Sequence, residues 1–206
     1  MATTQITVPT PRGDASVILD RGRRRARALL VLGHGAAGDV DAVDLVAVRD
    51  AALRADLAVA RVTQPYRMMG GRRPPPAAPV LDEAWTAVIT AIRPRFAKGT
   101  PLIVGGRSSG ARVACRTAVP LGAAGVLALA FPLHPPGRPE KTRSGELDPA
   151  VPTLVINGDR DPFGVPAAEG LIQVVVLPGE RHELKKDPTA AGAAAVVWLT
   201  ELLSRT

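Results

Sequence analysis

The apolar positions of this chain fall into short, nearly unbroken runs separated by stretches of helical spacing. Residues 28–32, 57–62, 102–105, 123–130, 153–156 and 172–177 are runs of four to eight mostly apolar residues. A strand apolar at successive positions is covered on both faces, as strands of a parallel sheet are. Between these runs, Leu81, Trp85, Val88, Ile89 and Ile92 recur at helical spacing, and Pro94 closes that helix. Further helices are predicted from Asp39 or Asp41, either of which can cap, to about Arg54, and over 109–118 and 189–203. Residues 6–8 and 15–20 read as short strands around a turn at 11–14, and the proline-rich segments 64–79 and 131–150 read as loops.

Strands alternating with helices predict an α/β architecture, a mostly parallel central sheet with helices on both faces. Ligands of such sheets bind at the carboxyl ends of the strands, where the connecting loops converge. At 206 residues the chain suits a single domain with a substantial core. Aromatics make up only 3%, so that core rests on Val, Leu, Ile and Ala. Cys115 is the only cysteine, which rules out an intrachain disulfide framework, and on its helix it reads as a small buried hydrophobe. No apolar run reaches membrane-spanning length and the first residues are polar, so a cytoplasmic protein is expected.

The net charge of +7 raises the question of an acidic partner. The cluster Arg21, Arg23, Arg24, Arg25 and Arg27 lies between two strand-like runs and reads as a solvated face. With few aromatics to stack on bases, nucleic acid is not the expected partner; a small acyl substrate is. Nothing in the sequence indicates oligomeric state, a cofactor or a metal-ligand cluster.

The chemistry concentrates where strands end. After the run at 102–105, Gly106-Arg107-Ser108-Ser109-Gly110 turns a strand sharply into a helix. Such a turn exposes a serine hydroxyl while the next amide faces the same space. Ser108 is preferred to Ser109 because the positions two before and two after it are glycine, whereas those of Ser109 are Arg107 and Ala111. A serine nucleophile needs a base, and the base an orienting acid. The strand at 153–156 is followed by Asn157-Gly158-Asp159-Arg160-Asp161, and the strand at 172–177 by His182. The order is Ser108, then Asp161 or Asp159, then His182. Catalytic expectations therefore fall on Ser108, Asp161 and His182, with the Ser109 amide and one amide of the turn at 33–38 as oxyanion donors. His34, Arg107 and His134 are candidates to line the substrate pocket. Each also has a structural reading: a hydrogen-bonding role for His34, an ion pair for Arg107 (the favoured one), and loop stiffening around His134.

These motifs resemble the α/β-hydrolase superfamily, and within it the small dienelactone-hydrolase-like branch. Gly105 to Arg112 and the run Phe131-Pro-Leu-His-Pro-Pro-Gly-Arg-Pro-Glu-Lys141 resemble a narrower family. That family includes a mammalian testis-expressed protein and a subunit of a nuclear histone-acetyltransferase complex. The resemblance covers about residue 28 to the C-terminus. It implies an α/β-hydrolase fold with little or no cap domain and a Ser-His-Asp serine esterase chemistry. It favours Asp161 over Asp159, through the Gly-x-x-Asp pattern begun at Gly158, and it makes Ala36 the second oxyanion donor. A catalytically idle scaffold on the same fold is the alternative.

Overall fold

The computed structural model describes residues 1–70, 73–147 and 150–205. The parts of the two expected loops at 71–72 and 148–149 lie outside the described residues. Among the described residues, eight strands form one sheet in the order β1-β2-β4-β3-β5-β6-β7-β8. They are β1 (Ala2–Thr10), β2 (Gly13–Arg21), β3 (Leu29–Gly33), β4 (Ala58–Thr63), β5 (Leu102–Arg107), β6 (Gly125–Leu129), β7 (Thr153–Gly158) and β8 (Ile172–Leu177). From β4 through β8 every pairing is parallel, while β1 and β2 form an antiparallel hairpin added along β4. Both strands of that hairpin are longer than the alternation of 6–8 and 15–20 predicted. β1 is an edge strand with one side open to solvent, so its pairing with β2 continues where the apolar pattern stops.

The apolar runs divide their side chains between two cores. Leu29, Val31, Leu102 and Val104 face α3 (Ala78–Ile92) and α4 (Ser109–Thr117), where Trp85, Val88, Ile89, Val113 and Ala114 complete one cluster. Ala28, Leu30, Leu32 and Ile103 face α1 (Val43–Arg54) and α5 (Pro188–Ser204), where Leu45, Val48, Trp198 and Leu199 complete the other. Helices thus cover both faces, as continuous apolar strands require.

Three details differ from the sequence reading. Neither Asp39 nor Asp41 caps α1: Asp39 Oδ1 accepts the Asp41 amide in a local turn, and Ala42 holds the cap position. Segment 64–79 contains a one-turn helix, α2 (Pro65–Met68), and the first residues of α3, because prolines suit the first helical turn. Segment 131–150 carries a 3₁₀ turn at Ser144–Glu146 that is tied to α4. Glu146 binds Arg112 through two contacts of 2.8 and 2.6 Å and Arg116 at 2.7 Å, and Arg116 also reaches Asp82 of α3. Burial resists the Glu146 charge, but the two guanidiniums win and hold its carboxyl below the ordinary glutamate value. No helix among the described residues is long and apolar enough to cross a membrane.

Candidate active site

The turn from β5 into α4 carries the most strained serine in the chain. Ser108 sits at φ 53°, ψ −107°, left-handed backbone that an L-residue adopts only when its surroundings hold it there. Its amide donates to the Leu129 carbonyl of β6 at 2.9 Å, anchoring the turn to the neighbouring strand. Gly106 and Gly110 allow the turn to close on Gly33, whose carbonyl oxygen would lie 2.4 Å from a Cβ at either position.

Ser108 Oγ lies 3.0 Å from His182 Nε2, and His182 Nδ1 lies 2.8 Å from Asp161 Oδ2. A carboxylate can only accept, so Nδ1 carries the proton and Nε2 is left to accept from the serine hydroxyl. Asp161 is itself held: Oδ1 accepts the Phe163 amide at 2.9 Å and Oδ2 the Asn157 side-chain amide at 3.3 Å. Its side chain is fully buried, which keeps water from competing for those lone pairs. Phe163 meets the His182 ring edge-on with centroids 4.5 Å apart. Asp159, the alternative acid, is exposed and accepts the Gly179 amide at 2.7 Å, steadying the loop that carries His182.

Asn157 and Asp44 are polar groups that the sequence reading did not single out. Asn157 is fully buried; besides Asp161, it accepts the Phe131 amide at 2.8 Å and donates to the Phe131 carbonyl at 3.1 Å. Its place at the end of β7, four residues before Asp161, is the sequence signal that could have found it. Asp44, fully buried in the first turn of α1, pairs with Arg107 Nε at 3.0 Å. Arg107 also donates to the His182 carbonyl at 2.8 Å. One guanidinium therefore joins the serine turn, helix α1 and the histidine loop, and it is the ion pair rather than a group presented to solvent.

Burial raises the Asp44 carboxyl above its ordinary value, with Arg107 as the leading opposing influence. Arg107→Gln removes that opposition, so the carboxyl rises further. A carboxyl with a raised folded-state pKa contributes stability below its unfolded value and loses it as pH climbs through the folded one. The variant's thermal midpoint will therefore fall further below that of the unmodified chain as pH climbs above the ordinary carboxylate range, from the raised Asp44 value of the unmodified chain to the still higher one of the variant. Adding Asp44→Asn will remove the pH dependence of that gap; a gap independent of pH in Arg107→Gln itself would exclude Asp44 as its source.

The remaining candidates lie as follows. His34 is buried, its Nδ1 on the Gly35 carbonyl at 2.8 Å and its Nε2 accepting the Gln64 amide at 3.1 Å. Burial lowers its pKa, against the Gly35 carbonyl, so it is a neutral brace of the turn with no nitrogen left for a substrate. His134 is half-buried, with Nδ1 on the Lys141 carbonyl at 2.8 Å and its ring packed against Gly164, so it fastens segment 131–150 to itself. The turn at 33–38 runs beside the serine, a Cβ on Gly35 falling 3.7 Å from Ser108 Cβ, and the Ala36 carbonyl accepts the Tyr66 hydroxyl at 3.0 Å. Cys115 is buried, and its thiol is pushed up to about 12 by desolvation, as an inert core residue requires.

The sequence profile of the α/β hydrolase domain family matches residues 26–189. The chain belongs to that family. Its fold is shared by a serine hydrolase without a lid from Xanthomonas campestris, which is 20% identical with a TM-score of 0.81 over 98% of this chain and 95% of that one. Est1E from Butyrivibrio proteoclasticus, also solved with ferulic acid bound, is 15% identical with a TM-score of 0.77 over 97% and 99%. An esterase from Pyrobaculum calidifontis is 20% identical with a TM-score of 0.70 over 99% of this α/β hydrolase chain and 85% of its own. Comparison with curated proteins gives no match. The serine turn, the turn at 33–38, Asp161 and His182 all fall inside the matched α/β hydrolase region.

Proposed function

We propose that the chain is a serine hydrolase that cleaves a carboxylic ester, thioester or lactone, with Ser108, His182 and Asp161 as its triad. The observation that carries this is the continuous chain from Ser108 Oγ through His182 to a buried, twice-supported Asp161. His182 Nε2 takes the hydroxyl proton as Oγ bonds to the acyl carbon. The Ser109 amide, at the first position of α4 where no helical carbonyl pairs it, and the Ala36 amide receive the oxyanion. Collapse breaks the bond to the leaving alkoxide or thiolate, which leaves with the proton from Nε2. Water then gives a proton to Nε2, attacks the acyl carbon and releases the acid, and the serine recovers its hydrogen.

The reading is a single cytoplasmic domain acting without a cap, since the loop after β6 is pinned to α4 through Glu146. The motifs at 105–112 and 131–141 support kinship with the dienelactone-hydrolase-like branch and its testis-expressed relative. Labelling with a fluorophosphonate, followed by peptide mass mapping, tests the assignment. An adduct on Ser108 that is absent from His182→Ala is expected. Folded protein that takes no label would replace this reading with an idle scaffold.

A further inference from the structure

The basic run between β2 and β3 does not stand alone. Residues 22–28 cross the amino-terminal end of β3, and there they meet the segment that leads from α3 into β5. Arg27 donates its amide to Asp56 and Leu29 to Pro101, so the crossing is anchored on both sides. Between the two segments opens a cavity of about 200 Å³ lined by Arg21, Arg24, Arg25 and Arg95. It shares Phe96, Ala97 and Thr100 with a larger cavity of about 670 Å³, to which Arg93 and Lys98 contribute. Six cations line the pair and no carboxylate does, in a chain whose whole net charge is +7. The adjacent acids are engaged: Asp56 pairs with Arg24 at 3.4 Å, and Asp20 turns to Arg61 and Arg49.

A merely solvated arginine face leaves its side chains free to move. Here two are held. The Arg21 guanidinium lies 4.5 Å over the Phe96 ring and donates to the Arg95 carbonyl at 3.3 Å. Its Nε is buried with no hydrogen-bond partner among the described residues. Arg93 is held by the Leu121 carbonyl at 2.8 Å. Beyond Phe96 the walls change character, with Leu29, Ile89, Leu102 and Leu121 lining the larger cavity. Four arginines at one end, Arg21 among them held over Phe96, and an apolar wall at the other suit a ligand with the same division.

We propose that this end of the molecule binds a phosphate monoester carrying an apolar body. The phosphate sits among Arg21, Arg25 and Arg95, and the body runs along Phe96 into the larger cavity. A phosphate monoester fits better than a carboxylate because it brings close to two negative charges and three acceptor oxygens to several converging guanidiniums. The site lies at the amino ends of β3 and β5, whereas Ser108 follows the carboxyl end of β5. It therefore stands independently of the proposed hydrolase activity.

Calorimetry on the full chain with n-hexyl phosphate, inorganic phosphate and hexanol tests the site at physiological salt. One site per chain is expected, at least ten-fold tighter for hexyl phosphate than for inorganic phosphate. Arg21→Gln with Arg95→Gln should weaken it at least ten-fold at an unchanged thermal midpoint. Because Arg21 packs on Phe96, the exposed Arg25→Gln serves as a second variant, also weakened. Vesicles containing phosphatidic acid distinguish the source: retention that hexyl phosphate competes away points to a lipid headgroup, and soluble binding without retention points to a free phosphate ester. No binding, equal binding by variant and unmodified chain, or several weak sites that salt removes together would overturn the proposal and return the cluster to diffuse surface charge.

Discussion

The Asp161→Asn variant will fold normally and hydrolyse an activated ester such as p-nitrophenyl acetate about 10⁴-fold more slowly than the unmodified chain. The size of the loss follows from what surrounds the carboxylate. Both of its oxygens face donors: the Phe163 amide at Oδ1, and His182 Nδ1 with the Asn157 side chain at Oδ2. An asparagine can present its oxygen to only one of these sides. If the oxygen meets Phe163, the NH₂ group faces Nδ1, which must then accept. The imidazole proton moves to Nε2, where it points at Ser108 and cannot receive the serine's proton. If the oxygen instead meets His182, the NH₂ group collides with the Phe163 amide, and the loop that positions the acid loosens. Turnover and the rate of fluorophosphonate labelling, measured with circular dichroism on the same protein, check this. A loss smaller than ten-fold would show that Asp161 does not set the tautomer.

The elements that sequence reading reached were those whose pattern repeats locally. Six mostly apolar runs marked the six strands β3 to β8: β3 to β7 are buried almost throughout between the helices of the two faces, and β8, an edge strand with Gln173 and Val176 exposed, still carries a β-branched run. Ser108, Asp161 and His182 were legible because each follows one of those strands, at the end of the sheet where loops converge. What escaped depends on partners distant in sequence. Asp44 reads as an ordinary acid in a first helical turn until Arg107, far along the chain, is placed against it. The tie from Arg112 and Arg116 to Glu146 turns an apparent loop into a fixed strap, and no local signal announces it. The arginines at 21–25 read as a solvated face, and Arg23, Arg24 and Arg25 are exposed; that they share a cavity with Arg95 and Phe96 has no local signal, because only the fold joins the two segments.

Gly110→Ala will destabilise the protein by about 3 kcal/mol or more, a larger cost than its single methyl suggests. The second residue of α4 packs directly on the carboxyl end of β3. A Cβ there would stand 2.4 Å from the Gly33 carbonyl oxygen, 2.5 Å from its carbon and 2.9 Å from the His34 oxygen. All three are backbone atoms of a buried strand and its turn, so no side chain can swing aside. Either the first turn of α4 lifts or β3 yields, and β3 is hydrogen-bonded to β4 and β5 on its two sides. For a chain of this length that cost lowers the thermal midpoint by roughly 6–12 °C. Gly145→Ala provides the comparison: nothing lies within 4 Å of its Cβ, and the change should stay within about 0.5 kcal/mol. Equal midpoints for the two variants would refute the close approach. If the difference appears, the small residues flanking Ser108 have a cause that precedes any chemistry. The serine can stand in its strained conformation only because Gly106 and Gly110 let strand and helix close on Gly33, and the same closure brings the turn at 33–38 beside the hydroxyl. In Gly110→Ala, stability and fluorophosphonate labelling of Ser108 should therefore fall together.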